Sequence, residues 1–168
     1  SIDKLSRKYP GLENLSLALN IRYNIKNLGE ELMAILDILT HPDPRLKTKA
    51  APVADITPEI KQLISDLFET MYASSGIGLA ATQVNVHKRI FITDLSAKGD
   101  QKLVFINPEI TEKEGECTLE EGCLSLPGVY ASVTRAQKMT IRAQDENGNF
   151  FEKNSEAYDA RCFQHERD

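Results

Sequence analysis

The chain has 168 residues, which is the length of about one domain and is enough to bury a substantial core. Hydrophobic residues make up 41% and charged residues 27%, as in an ordinary soluble protein. The net charge of -5 gives no electrostatic basis for binding nucleic acid or an anionic membrane. No apolar run approaches the roughly 20 residues of a transmembrane helix. We therefore expect neither a nucleic-acid partner nor a membrane partner.

The cysteines indicate a reducing compartment. Cys117, Cys123 and Cys162 are odd in number and lack the spacing of a disulfide scaffold, which favours free or metal-bound thiols. The sequence also shows no basic start followed by an apolar stretch and a small-residue cleavage site. These features predict a cytoplasmic enzyme.

The composition changes at Met33. Residues 1–32 contain scattered apolar positions without a helical or strand period. Met33 begins a segment typical of a protein start, and codons for residues 29–31 can form a purine run of ribosome-binding type. We expect residues 1–32 to lie outside the fold, either as a translated leader or cloning scar or as a genuine N-terminal extension. The folded domain is expected to span 33–168.

Helix signals come first within this domain. Thr57 can cap a helix whose first residue is Pro58, and apolar residues then recur at helical spacing through about Ala73. This pattern predicts one long amphipathic helix in the N-terminal part of the domain. The segments 89–95 and 102–106 are short and rich in β-branched and aromatic residues, which predicts strands.

The second half of the domain is expected to contain a hairpin and a final helix. Residues 138–143 alternate in polarity, Asn147-Gly148 is a strong hairpin turn signal, and 150–151 begin the return strand. Residues 154–155 offer a cap for a last helix. Together these elements predict an α+β domain, with antiparallel sheets packed around a C-terminal helix.

Three segments carry residues that suggest chemistry. Gly76–Gln83 follows the long helix, and its glycines allow close backbone approach while Gln83 offers a neutral amide donor. Such a Gly-x-Gly segment is more often an ordinary turn, and it lacks the third glycine of a dinucleotide-binding loop. The second segment is Glu121–Ser125, in which Cys123 follows a glycine. A lone cysteine is usually a buried packing residue.

The third segment closes the sequence. In a helical His-Glu-x-x-His motif, two imidazoles lie on one face and the Glu lies beside the metal-bound water. His165-Glu166 begins such a motif, and its second His would be residue 169, one position after Asp168. Each segment alone is weak evidence, but their order and separation are specific.

From Met33 onward the chain resembles the peptide deformylases of bacterial and organellar type. The resemblance rests on Gly76–Gln83, on Glu121–Ser125, and on 164–168 as the opening of a Gln-His-Glu-x-Asp-His motif. It implies removal of the N-formyl group from the formyl-methionine of nascent peptides, with release of formate. It also implies that the C-terminal helix is the metal-site helix.

The resemblance assigns roles at the metal site. Cys123 and His165 would be two of three metal ligands, with Fe(II) as the usual ion and zinc, nickel or cobalt as alternatives. Glu166 would be the general base for the water. The Gln83 amide and the Leu124 backbone N–H would hold the oxyanion.

The resemblance also implies a methionine pocket. Its members would be Ile77, Gly78, Leu119, Glu121, Tyr158, Arg161, Cys162 and His165. We expect Arg161 to lay its stem over the pocket edge and keep its charge in water. Cys162 is expected to be a small apolar filler behind the ligand helix.

Position 169 leaves two interpretations open. If a His follows Asp168, the chain is part of a working deformylase, expected to act as a monomer with the ribosome as a possible partner. If not, the alternative is an inactive deformylase-like protein or remnant that at most binds formyl-methionyl peptides, because catalytic sites of this kind usually have three protein ligands.

Overall fold

The computed structural model describes residues 34–96 and 99–168. The prediction for residues 1–32 and the proposed start at Met33 lie outside this described part. The long helices are α1 (Pro58–Ala73) and α2 (Ala157–Arg167). The strands are β1 (Gly78–Ala80), β2 (Ile90–Asp94), β3 (Lys102–Glu114), β4 (Cys117–Cys123), β5 (Leu126–Arg135), β6 (Lys138–Gln144) and β7 (Phe150–Glu156). No described helix is long and apolar enough to cross a membrane.

The described strands form a larger sheet and a separate hairpin. The larger sheet has the order β1-β2-β3-β6-β7, and β4 and β5 pair only with each other. Every pairing is antiparallel. The prediction of an α+β domain with antiparallel sheets is therefore confirmed.

Helix α1 occupies the segment in which the sequence predicts it. The Ile60 N–H donates to Thr57 Oγ1 at 3.4 Å, and Pro58 fills the first helical position, where no N–H is needed. Its buried face carries Ile64, Leu67, Phe68 and Met71. Residues up to 33 lie outside the described part, so no helix is assigned at the N-terminus of the chain itself.

The larger sheet lies between the two helices. All five residues of β2 are buried, and its three apolar side chains alternate between two apolar clusters. Ile92 belongs to the cluster that contains the buried residues of α1. Phe91 belongs to the cluster that contains Phe163 of α2. A strand covered on both faces has a continuous apolar sequence, which explains the composition of 89–95.

Aromatic rings join α2 to the sheet. The Phe105 ring centroid lies 4.4 Å from that of Phe91, 4.8 Å from that of Phe163 and 5.5 Å from that of Phe151. These contacts fix the height and rotation of α2 over the sheet, because each ring fills space between the others. The helix that carries His165 is thus held by a packed core.

The start of α2 differs from the prediction. Asn154 and Ser155 do not cap the helix, because β7 continues through them and pairs with β6. The Thr140 hydroxyl donates to Asn154 Oδ1 at 3.0 Å, so the expected capping side chain is used across the strands. The helix begins at Ala157, after Glu156, whose side chain makes no capping bond. A local capping signal was overridden by strand pairing.

A buried carboxylate organises the end of β2. Asp94 accepts the Tyr72 hydroxyl at 2.6 Å, the Ser96 hydroxyl at 2.6 Å and the Gly99 N–H at 2.6 Å. Burial raises the pKa of Asp94, but the hydrogen bonds from Ser96, Tyr72 and Gly99 outweigh this and lower it to about 2. The charged form is therefore favoured in the folded state.

Replacing Phe105 by Ala is expected to lower the free energy of unfolding by about 3–5 kcal/mol, because the cavity left behind cannot collapse fully. Urea denaturation followed by circular dichroism measures the change. Phe150→Ala is the matched control, since Phe150 is on β7 but is 65% exposed. Equal losses for the two variants would contradict this description of the core.

Acid stability tests the Asp94 cluster. Since its folded pKa is about 2, below the roughly 3.9 of a free Asp, its stabilisation is complete above about pH 5 and is lost as pH falls toward 2. Asp94→Asn should therefore lose less stability than the native protein between pH 5 and pH 2.5, measured by urea midpoints. Asp55→Asn, at an exposed carboxylate, should follow the native profile. A native-like profile for Asp94→Asn would rule out this role.

Candidate metal centre

Three parts of the fold meet at one cleft of about 580 Å³. The loop and strand after α1 contribute Gly78 and Gln83, the end of β4 contributes Cys123, and α2 contributes His165 and Glu166. These residues lie up to 88 positions apart in sequence, from Gly78 to Glu166. Only the folding of α2 against the sheet brings them together.

Most of the predicted pocket residues line this cleft. Seven of the eight do so, namely Ile77, Gly78, Glu121, Tyr158, Arg161, Cys162 and His165, and Leu124, the predicted oxyanion donor, lines it as well. Leu119 does not line the cleft and is 52% exposed on β4. Its placement in the methionine pocket is therefore not supported by its position.

The Glu166 carboxylate is enclosed beside Gly78. Its Oε2 atom is buried and has no hydrogen-bond partner among the described residues. Burial raises the pKa of Glu166 to about 7, against the lowering effect of His165 and Arg135. A carboxylate with a pKa near neutrality can both take and return a proton at physiological pH.

A glycine is required at position 78 because the Glu166 side chain lies against its backbone. A Cβ atom added there would lie 2.5 Å from Glu166 Oε1, well inside contact distance. Gly76 faces a similar restriction, since its Cβ would lie 2.8 Å from Leu124 Cδ1. The Gly-x-Gly pair therefore makes room for the acidic side chain and for the residue after Cys123.

Cys123 and His165 interact directly. Their hydrogen bond is the main cause that lowers the pKa of Cys123 and raises the pKa of His165 to about 9. The thiolate is the form of cysteine that binds metals. A metal held by these two groups would bind the thiolate and the neutral imidazole, so metal binding there would release protons.

A carboxylate orients the imidazole. His165 Nδ1 lies 3.0 Å from Glu121 Oε2. This contact leaves the other ring nitrogen, Nε2, for a metal, which is the usual arrangement of a ligating histidine and its outer partner. Glu121 is one of the predicted pocket residues, and its carboxylate is turned toward His165 and two arginines.

The arginines hold Glu121 from two sides. Arg135 donates from Nε to Oε1 at 2.7 Å and from Nη2 to Oε2 at 2.9 Å. Arg161 donates from Nη1 to Oε1 at 2.5 Å. Burial raises the pKa of Glu121, but the bonds from Arg135, His165 and Arg161 lower it to about 2.

The prediction that Arg161 keeps its charge in water is wrong. Its side chain is 8% exposed, and the guanidinium also donates to the Val133 carbonyl at 3.0 Å and the Cys117 carbonyl at 2.6 Å. A buried partner for the charge, which the sequence pattern does not reveal, makes burial possible. Cys162 is buried in the α2 cluster, and burial raises the pKa of its thiol. Both observations agree with the role of an apolar filler.

Gln83 is fixed at its carbonyl end. The Ala80 N–H donates to Gln83 Oε1 at 2.9 Å. The amide nitrogen, Nε2, therefore points toward the cleft, where it lies 3.1 Å from Ser125 Oγ and 3.7 Å from Cys123 Sγ. This places an N–H donor beside the sulfur.

Arg135 and Gln164 were not identified as functional from the sequence. The Gln164 amide accepts the Ala136 N–H at 3.1 Å and donates to the Ala136 carbonyl at 2.9 Å, which ties α2 to the end of β5. Arg135 reaches Glu121 across the β4–β5 hairpin. No strands were predicted over 117–135, so the sequence carried no signal that these side chains meet.

The donors fit part of a metal site. Cys123 and His165 supply a sulfur and an imidazole nitrogen, but no group of three possible ligands occurs within 34–96 and 99–168. The second His of the motif would be residue 169. The orphaned Glu166 Oε2, buried in the same cleft, fits a group that contacts a bound water.

Comparisons with known proteins agree with this geometry. The family model for polypeptide deformylase matches residues 35–168. Peptide deformylases from Chromobacterium violaceum and Neisseria meningitidis are each 52% identical over 136 residues, which is 81% of this chain and 81% of each relative.

Solved structures show the same likeness. A peptide deformylase from Legionella pneumophila has a TM-score of 0.77 and 44% identity, covering 79% of this chain and 78% of that one. One from Synechococcus elongatus in complex with actinonin has a TM-score of 0.75 and 38% identity, covering 84% and 77%. The chain therefore belongs to the polypeptide deformylase family, metal-dependent hydrolases that remove the formyl group from newly made peptides.

Proposed function

We propose that this cleft hydrolyses the N-formyl group of formyl-methionyl peptides, with Cys123 and His165 as metal ligands and Glu166 as the general base. The observation that carries the proposal is the meeting of three groups in one cleft: the Cys123 sulfur, the His165 imidazole and the buried, unpartnered Glu166 carboxylate. Resemblance to the family supports the roles.

The proposed ion is Fe(II), with zinc, nickel or cobalt as alternatives. A sulfur and imidazole donor set suits both iron and zinc, so metal analysis of the isolated protein is needed to choose between them. When bound, the ion supplies Lewis-acid chemistry to the formyl carbonyl and lowers the pKa of water. The third ligand of the proposal is a His at position 169.

Glu166 moves the proton. It takes one from the attacking water and returns it to the departing amine, and a pKa of about 7 suits both steps. Gly78 leaves space for this carboxylate beside the reacting group. The products are formate and a free N-terminus.

Two donors hold the developing negative charge. The Gln83 amide nitrogen is aimed at the cleft because the Ala80 N–H fixes its other end. The backbone N–H of Leu124 is the second donor of the proposal, next to Cys123 in the turn between β4 and β5. Donors placed in advance lower the barrier because they need no rearrangement when charge develops.

The methionine side chain is proposed to lie along the mixed surface of the cleft formed by Ile77, Tyr158 and Cys162. Tyr158 is 58% exposed, so it forms an edge of the cleft. Cys162 is buried and forms part of the floor. The charged residues Glu121 and Arg161 pair with each other and support the wall.

Formate release after anaerobic Fe(II) loading tests the proposal. The expected result is about one metal per chain and formate from a formyl-methionyl tripeptide. The acetyl-methionyl tripeptide is the control and should not be hydrolysed. Peptide binding without formate release would instead support the inactive alternative, and equal hydrolysis of both peptides would contradict specificity for formyl.

The third ligand has a separate test. Reading the gene in frame through the codon after Asp168 shows which residue occupies position 169. A His codon completes the proposed ligand set. Any other codon leaves two ligands and contradicts that part of the proposal.

We further propose that the protein acts in the cytoplasm as a monomer and contacts the ribosome, since its substrates are nascent peptides. Light scattering during size exclusion checks the oligomeric state. Co-sedimentation with ribosomes at physiological salt checks the contact, and a protein that stays in the supernatant contradicts it.

Gln83→Leu is expected to lower both kcat and kcat/KM by about 10²–10³-fold with little change in KM, because the amide acts on charge that exists only in the transition state. Steady-state formate release measures this. Gln101→Leu, at an exposed position, is the matched control. A higher KM with unchanged kcat would assign Gln83 to substrate binding instead.

Gly78→Ala is expected to lower kcat by about 10²–10⁴-fold, as Glu166→Gln should, because the added methyl group displaces the carboxylate that transfers the proton. Kinetics on metal-loaded variants of both kinds, with denaturation midpoints, test this. A folded Gly78→Ala protein with native turnover would show that the position of this carboxylate is not critical.

A further inference from the structure

Arg161 lines the cleft, but its guanidinium is buried and bonds to the β4–β5 hairpin. Its Nη1 atom donates to Glu121 Oε1 and to the Val133 carbonyl, and its Nη2 atom donates to the Cys117 carbonyl. Cys117 is the first residue of β4, Glu121 lies two residues before its end, and Val133 lies within β5. One side chain of α2 thus joins both strands of the hairpin.

Arg161 and His165 are four residues apart on α2, so they lie on the same face of the helix. They also bind the same carboxylate. Arg161 contacts Oε1 of Glu121, and His165 contacts Oε2. The helix therefore presents a cation and an imidazole to the two oxygens of one buried group.

This arrangement links the two metal-binding residues. Cys123 ends the strand that carries Glu121, whereas His165 belongs to α2. The hairpin is not part of the larger sheet, so its position relative to α2 depends on contacts of this kind. Arg161 supplies three of them through a planar, rigid group.

We propose that Arg161 is a positioning residue, which holds Glu121 and the β4–β5 hairpin so that His165 and Cys123 face a common metal. This inference rests on the proposed function, because it takes His165 and Cys123 as ligands. It replaces the expectation that Arg161 contacts the methionine side chain.

The first experiment measures metal affinity by competition with a chromophoric zinc chelator. Outer partners of metal ligands typically contribute about 10–100-fold in affinity, so Arg161→Met should weaken zinc binding by that factor. Arg161→Lys keeps the charge but cannot make the same fork, and should recover only part of the loss. Arg142→Met is the control, because Arg142 is exposed and stacks on Phe150.

The second experiment is independent of metal and of activity. Nitrogen-15 NMR of the metal-free protein reports the protonation and hydrogen bonding of the His165 ring. In the native protein and in Arg142→Met, the Nδ1 signal should show the hydrogen bond to Glu121. Arg161→Met should shift it toward that of a free imidazole, and Arg161→Lys should give an intermediate position.

The outcomes separate this inference from the proposed function. If the native protein binds no zinc but the His165 signal depends on Arg161, the ligand assignment fails and the positioning contact stands. If zinc binds equally to the native protein and to folded Arg161→Met, the positioning role is overturned. A raised KM with native metal affinity in Arg161→Met would instead indicate that Arg161 contacts the substrate, and would overturn the positioning role. Should Arg161→Met not fold, Arg161→Lys decides by the same two measurements.

Discussion

The buried Glu121 carboxylate is the group on which the proposed metal centre depends. It joins Arg135 of the hairpin, Arg161 of α2 and the imidazole of His165. A carboxylate taken out of water is unfavourable unless charges and hydrogen bonds replace the solvent, and here two guanidinium groups do so. Removing one partner of a buried ion pair typically costs about 3–5 kcal/mol, so these side chains depend on one another.

The contacts of Glu121 with α2 can form only because the larger sheet holds that helix in place. Phe163 packs against Phe105, and that cluster lies on the opposite face of the sheet from α1. Gln164 then pairs with both backbone groups of Ala136, which sets the hairpin against the helix. Packing fixes the helix, and hydrogen bonds fix the hairpin relative to it. The reactive groups on α2 and β4 are aligned as a consequence.

Predictions from local sequence were correct where neighbouring residues alone determine the structure. The helix over Pro58–Ala73 has a capping Thr57, a proline at its first position and a regular apolar stripe, and it forms as predicted. The same kind of rule failed at Asn154, where a side chain suited to capping lies in a strand and bonds across it. Strand pairing satisfies backbone groups over the whole of β7, which outweighs one cap.

The sequence by itself was sufficient to predict the family and its chemistry. Short motifs whose residue types and order are specific to deformylases contain Gly78, Gln83, Cys123, His165 and Glu166. Motifs of this kind are local, so they need no knowledge of the fold. The contacts that hold those residues in place depend on the tertiary structure. The sequence does not show whether an arginine is buried or exposed. Burial requires a carboxylate from another element beside the guanidinium, and only the tertiary structure brings the two together.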